Sequence, residues 1–384
     1  MSRHDFSREE FDMRRARVRE AMRQAGLDWL VMIHPVSIHW LTGSDAKSYQ
    51  EFQCLCLSAE PGPLVVLTRE GECNEFRDDA WVDEIHGWGG GRVEDPIARF
   101  GALAERLGLR GMRVGMEVPA YYLHPHHYVR ICELLGSDLV AEATNLVPEL
   151  KMVKSPAELA YIRRANALAD RGMEAFREAL APGRTELAVA GRVYEALLSG
   201  GSGLAASPIN LVSGERSCYS HGAPTERELR PGDFGSVEFG ATYRRYTATL
   251  GRQFSLGAPT PRMRELYELV LRASDAMIAE IRDGVPAIVP HEAACRVIGA
   301  AGLERGRVHT SGYGLAPGFP PSWSEPIHML GDTEAVLHAG MVVTIEPPVF
   351  LDTEPLGARL IDNVLVTETG ADRLARFPRE LLVV

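Results

Sequence analysis

Ser155-Pro156-Ala157-Glu158 is the stretch that most limits how this chain can fold. A serine hydroxyl that accepts from the third helical amide, a proline preset for the first helical position and a glutamate that reaches back to the serine together start a helix. Leu159, Ile162 and Leu168 then fall on one helical face, and Ala181-Pro182-Gly183 stops the run. A second helix is expected from residue 185 to about 198, ended by Gly200-Gly201. Patterning differs on the two sides of this start, so the chain divides into domains at residues 1–152 and 153–384.

Upstream, Ser7-Arg8-Glu9-Glu10 reads as a capping box for a helix that ends near Gly26. Residues 28–33 form a short apolar run suited to a buried strand. Two more such runs, 54–58 and 64–68, flank Pro61-Gly62-Pro63, a turn signal that predicts antiparallel pairing. Residues 114–118 predict another strand and 120–135 a helix. Downstream, strands are expected at 234–243, 245–254, 341–345 and 360–366, with helices at 261–282 and 291–301 between them. This is a mixed α/β (α+β) chain.

Composition narrows the partners. Hydrophobic residues make up 45% of 384 and charged residues 24%, ordinary for a globular protein, and the net charge is −11 without a basic block. A negative field of that size disfavours nucleic acid and anionic membrane. The N-terminal stretch has no apolar signal core, and no run approaches the ~20 apolar residues that span a bilayer. Six scattered cysteines resemble neither a zinc site nor a disulfide framework, which points to reduced thiols and a cytoplasmic location.

Four segments follow in order after the boundary: SHGAPTERELRPGDFGSVEFGATYRRYTATLGR, HTSGYGLAPGFPPSW, GMVVTIEPPVF and GARLIDNVLV. With SIHWLTG at 37–43, they resemble the pita-bread superfamily of creatinase, prolidase and aminopeptidase P over essentially the whole chain. The resemblance implies a creatinase-like N-terminal domain followed by a C-terminal pita-bread domain. In the metallopeptidase branch two aspartates, a histidine and two glutamates hold a metal pair that activates water. Here those positions fall on Glu238, Thr249, Tyr313, Glu346 and Ile361, the last beside Asp362. Two carboxylates are too few for such a cage, so the expectation is no metal and no other cofactor. Metal-free relatives include creatinase and ectoine hydrolase. Gly251 and Ser324 replace residues by which creatinase reads its substrate, whereas YRRY at 243–246 and PPSW at 320–323 look like the ectoine hydrolase branch.

The candidate catalytic residues are His221, Glu238 and Glu346. His221 matches the histidine that the superfamily places beside the scissile bond, and imidazole exchanges a proton near neutral pH. Val237, Phe239, Val343 and Ile345 alternate around the glutamates, so a core under those apolar residues turns both carboxylates to the opposite side. Facing one site without metal, they would attract a cation or share a proton. Tyr313 is a candidate oxyanion donor. Pro317 to Trp323 reads as a rigid aromatic wall with Trp323 toward substrate, and His309 as a structural hydrogen-bonder. His124-Pro125-His126-His127 reads as a helix start, and Cys54 and Cys56 as core. The resemblance also implies a two-fold homodimer with Asp45 or Tyr49 near the neighbouring site. The function expected is metal-independent hydrolysis of a non-peptide C–N or amide bond in a small cationic or zwitterionic metabolite. The alternatives are an Xaa-Pro metallopeptidase and a non-catalytic binding module.

Overall fold

The computed structural model describes residues 3–45 and 47–384; Met1 and Ser2 of the N-terminal stretch and Ala46 of the 40–49 segment lie outside it. The chain forms two compact units, one ending at Lys151 and one running from Met152 to Val384.

The first unit is a six-stranded mixed sheet between helices. Its strands are β1 (Trp29–Met32), β2 (Cys54–Ser58), β3 (Val65–Arg69), β4 (Glu84–Trp88), β5 (Val114–Met116) and β6 (Leu139–Glu142), in the order β4-β3-β2-β1-β5-β6. The β1–β2 and β2–β3 pairs are antiparallel, as the proline-glycine turn predicts. Both faces are covered, which is why these strands read as unbroken apolar runs. Leu30, Met32, Leu55 and Leu57 pack under helix α1 (Arg8–Gln24). Val31, Cys54, Cys56 and Leu67 pack on the other side, and all six cysteines are free thiols.

Helix starts follow their caps. Ser7 accepts from the Glu10 amide at 3.2 Å, but the Glu10 carboxylate turns to Arg14 at 3.0 Å. Helix α2 (Pro35–Thr42) begins at a His34 cap, α3 spans Cys73–Asp79 and α4 spans Pro96–Leu107. The helix expected from residue 120 instead begins at Pro125, as α5 (Pro125–Leu135). The residue before a proline avoids helical backbone, so His124 caps and cannot continue a helix already begun. Helix α6 (Leu146–Lys151) closes the unit.

The second unit runs from Met152, and its first helix starts after the Ser155 cap. Helix α7 (Pro156–Ala179) carries both bonds of the capping box, Glu158 N–H to Ser155 Oγ at 3.3 Å and Ser155 N–H to Glu158 Oε2 at 2.9 Å. Its strands are β7 (Asn210–Ser213), β8 (Phe234–Tyr243), β9 (Tyr246–Ser255), β10 (Tyr313–Phe319), β11 (Ser322–His328), β12 (Val342–Ile345), β13 (Val349–Phe350), β14 (Gly357–Ala358), β15 (Asp362–Val366), β16 (Ala371–Arg373) and β17 (Leu382–Val383). Nine of them form one sheet with the path β16-β15-β12-β10-β9-β8-β7. Helices α7 and α8 (Glu186–Ser199) pack on Val237, Phe239, Ala248 and Leu250. Helices α9 (Pro261–Glu280) and α10 (Ile288–Gly299) pack on Val343, Ile345 and Val364. These are the apolar alternates that flank Glu238 and Glu346, so the helices claim one face and the glutamates fall on the other.

The segment expected to be an aromatic wall is a hairpin, β10–β11, whose strands the prolines and glycines hide from pattern reading. Its register shifts between Tyr313, Leu315 and Phe319. Such bulges spare the ladder where proline has no N–H to give.

Candidate active site

Glu238 lies in mid-β8, opposite Asn210 on β7 and Gly251 on β9. It is 6% exposed. Its Oε2 accepts a hydrogen bond from Arg359 and another from Asn210 Nδ2 at 3.1 Å. The second terminal nitrogen of Arg359 donates to the Ser220 carbonyl, one residue before His221. One guanidinium therefore ties the carboxylate to the loop that carries the candidate proton shuttle. Its backbone is pinned in turn, with the Arg359 N–H on Gln253 Oε1 at 3.0 Å.

The two carboxylates, expected to attract a cation or share a proton, are not equally open to a ligand. Glu238 already has a cation from its own chain. Sequence reading missed Arg359 and Asn210, although each is a polar residue inside an apolar run (Ala358-Arg359-Leu360 and Ile209-Asn210-Leu211), a pattern that signals a buried partner.

His221 is exposed, and its ring lies 5.3 Å from that of His309, tilted by 58°. His309 Nδ1 sits 3.1 Å from the Thr310 carbonyl, the hydrogen bond expected of it. A carbonyl only accepts, so Nδ1 carries the proton and Nε2 keeps its lone pair. Burial pushes the His309 pKa down, and the Arg359 and His221 charges act the same way. The site thus holds a second imidazole beside the expected one.

Glu346 follows β12, and its N–H donates to the Ser311 carbonyl at 2.8 Å. Burial, then the charge of Glu238, pushes its carboxyl well above the usual range, while Arg359, the Thr344 hydroxyl and Arg307 pull the other way. Its Oε1 is buried without a hydrogen-bond partner. Tyr313 accepts from Trp323 Nε1 at 3.0 Å, which leaves its own O–H to donate. Burial, then the charges of Glu346 and Glu238, raise the phenol pKa, so it stays protonated. Trp323 is 6% exposed, with its indole N–H committed to Tyr313 and its benzo edge where a Cβ on Gly240 would stand, 2.8 Å away. Its indole N–H is thus already engaged and its ring packs against Gly240. Asp45 is partly buried, and Tyr49 packs its ring 5.9 Å from Tyr122; both belong to the first unit.

Residues 160–368 match the family model described as metallopeptidase family M24, and residues 14–153 match that of the creatinase/prolidase N-terminal domain. The chain belongs to the M24 family of hydrolases, and its second unit has the pita-bread fold. It is 32% identical over 385 residues to the probable dipeptidase PepE of Mycobacterium bovis, covering 99% of this chain and 98% of that protein. It is 28% identical over 403 residues to the ectoine hydrolase of Halomonas elongata, covering 98% of each. The crystal structure of dipeptidase PepE from Mycobacterium ulcerans superposes with a TM-score of 0.85 at 30% identity, covering 99% of both chains.

The residues at the family's metal positions do not fit a metal pair. Ile361 has no donor atom, and its side chain fills the space beside Gly251, where an added Cβ would lie 2.7 Å from Ile361 Cγ1. The Thr249 hydroxyl is buried without a partner, and Tyr313 is held by Trp323. The Arg359 guanidinium occupies Glu238 Oε2, placing a fixed positive charge on a would-be ligand. Asp362 turns away into a fully buried pair with Arg252 at 2.9 Å. Among the described residues no cluster of three His, Cys, Asp or Glu side chains has metal-binding geometry.

Proposed function

We propose that this hydrolase cleaves a C–N bond other than an ordinary peptide bond, or a small amide, in a compact cationic or zwitterionic metabolite, without a resident metal pair. The observation that carries this reading is Glu346 Oε1, a buried acceptor with no partner, near enough to Glu238 to feel its charge. An unmet buried acceptor costs about 1–3 kcal/mol, which a substrate N–H recovers. Amidines, guanidines and cyclic amides present such N–H groups. The Halomonas elongata relative is named for ectoine, a cyclic amidine, and ectoine is the first compound to test.

In this reading substrate N–H groups bridge Glu346 Oε1 and the free oxygen of Glu238. Tyr313 donates to the atom that gains negative charge as water adds to the carbon. His221, with His309 beside it, takes a proton from the water and passes one to the leaving nitrogen. A C–O bond forms, the C–N bond breaks, and the amine departs protonated. Glu238 either orients the water or attacks the carbon itself, forming a transient link that water then opens. Arg359 keeps Glu238 and the His221 loop in register for either course. We further propose a cytoplasmic two-fold homodimer in which Asp45 or Tyr49 approaches the partner's site.

A second reading, a metal-using dipeptidase, is favoured by the 32% identity to a probable dipeptidase. Assays of ectoine, guanidino compounds, cyclic amides and Xaa-Pro dipeptides, with EDTA and with added manganese or zinc, separate the two. The expected result is turnover of a non-peptide compound that EDTA leaves intact, with substoichiometric transition metal by elemental analysis. His221→Ala should lower that rate by about 10²–10⁴ in a folded protein. Dipeptide hydrolysis lost in EDTA and restored by manganese would sink this reading.

A further inference from the structure

We propose that Asn210 is a positioning residue that decides which oxygen of Glu238 faces the substrate. This rests on the functional reading above, in which Glu238 meets a substrate N–H. Asn210 and Glu238 are direct cross-strand partners on β7 and β8. Partners in register project from the same face with Cβ atoms about 5 Å apart. Their neighbours Leu211 and Val237 both lie in the core on the opposite face. Asparagine is a poor strand former, so its place between Ile209 and Leu211 calls for a reason.

The reason lies in how a guanidinium grips a carboxylate. Arginine tends to bind both oxygens of a carboxylate with two parallel N–H groups. That grip on Glu238 would consume the oxygen a substrate needs. Here the grip is split: one nitrogen of Arg359 donates to Oε2 and the other to the Ser220 carbonyl. Asn210 Nδ2 donates to the same Oε2 at 3.1 Å. Two donors on one oxygen fix the rotation of the carboxylate, and Oε1 takes no hydrogen bond among the described residues. Asn210 touches no reacting atom in this scheme; it acts through Glu238.

Acetamidine, the smallest amidinium probe, tests this without a known substrate. Its amidinium carries paired N–H donors of the kind that carboxylate oxygens such as Glu238 Oε1 and Glu346 Oε1 accept. Calorimetric titration should show saturable binding to the wild type, and Glu238→Gln should weaken it at least tenfold. Asn210→Leu, similar in volume but without a donor, should weaken it about tenfold at an unchanged melting temperature. Asn210→Gln, which keeps a donor on the partly exposed side of β7, should recover most of the affinity. A purely packing role would make Leu the better substitute and leave Gln no advantage. Wild-type affinity in Asn210→Leu, alongside lost binding in Glu238→Gln, would overturn the role of Asn210 alone. No binding to the wild type, or full binding to Glu238→Gln, would overturn the functional reading and this inference with it.

Discussion

Glu346 shows how a single side chain can lie in the sequence in plain view and still have its chemistry set elsewhere. Its position follows from the Ile-Glu-Pro strand, and its protonation from being buried beside Glu238. Burial and the neighbouring charge of Glu238 favour its protonated form over the carboxylate. A cation that binds against it must expel that proton, so affinity should rise with pH until the free carboxyl ionises by itself. Acetamidine titrations in buffers of different ionisation enthalpy should show proton release on binding. Glu346→Gln should abolish the release and weaken binding about 10- to 150-fold, the equivalent of losing a charge-assisted hydrogen bond of ~1.5–3 kcal/mol. Proton release that persists in Glu346→Gln would assign it to another group.

Elements are matched in pairs, and the pairs carry their own tests. Gly251 of β9 and Ile361 before β15 exchange backbone hydrogen bonds, Gly251 N–H to Ile361 O at 3.2 Å and the reverse at 3.1 Å. Bridged this closely, the Ile361 side chain leaves no room for a Cβ at residue 251. Gly251→Ala should cost about 1–3 kcal/mol by overpacking, and Ile361→Ala in the same chain should relieve part of that cost. Strict additivity in urea denaturation would mean the two positions are not coupled. At the start of α2, Glu117 accepts from the Ile33 and His34 amides at 2.9 and 2.7 Å and is fully buried. Burial raises its pKa from 4.5 to about 7. The folded chain then binds this proton more tightly than the unfolded one, so the stability it adds is complete below about pH 4.5 and is lost as pH rises through about 7. His34 works the other way: burial lowers its pKa from 6.5 to about 3, so its contribution is present above pH 6.5 and lost on acidification. Its Nδ1 accepts from the Val36 amide at 3.2 Å, which requires the neutral ring. In Glu117→Gln, stability relative to wild type should gain about 3 kcal/mol between about pH 4.5 and pH 8. An unchanged difference across that range would show that Glu117 does not titrate with folding.

For the whole molecule the expectation is a two-fold dimer in which the first unit serves the neighbour's site. Light scattering should give twice the 42.2 kDa chain mass. Tyr49→Ala should then raise KM for the substrate identified by the assays above while leaving the mass of the particle unchanged. A monomer with full activity would refute the assembly and leave the intrachain site intact.

Local chemistry determined much of this protein in advance. The Ser155 cap, the Pro61-Gly62-Pro63 turn and the alternation around Glu238 each depend on residues adjacent in sequence, so pattern alone placed α7, the β2–β3 pair and the face of β8. The resemblance carried by the motifs around His221, Glu238 and Glu346 named the family and the fold, since each motif is a run of neighbouring residues. Tertiary structure decided what depends on distant residues meeting. Arg359 joins Glu238 across 121 positions and holds the His221 loop, and no local pattern announces such a pair. Prolines concealed the β10–β11 hairpin because its pairing with β9 and β12, not its own propensity, makes it a sheet. The charge of the site was decided last of all, because it depends on how much water the fold removes from Glu346 and on which cation the fold brings to Glu238.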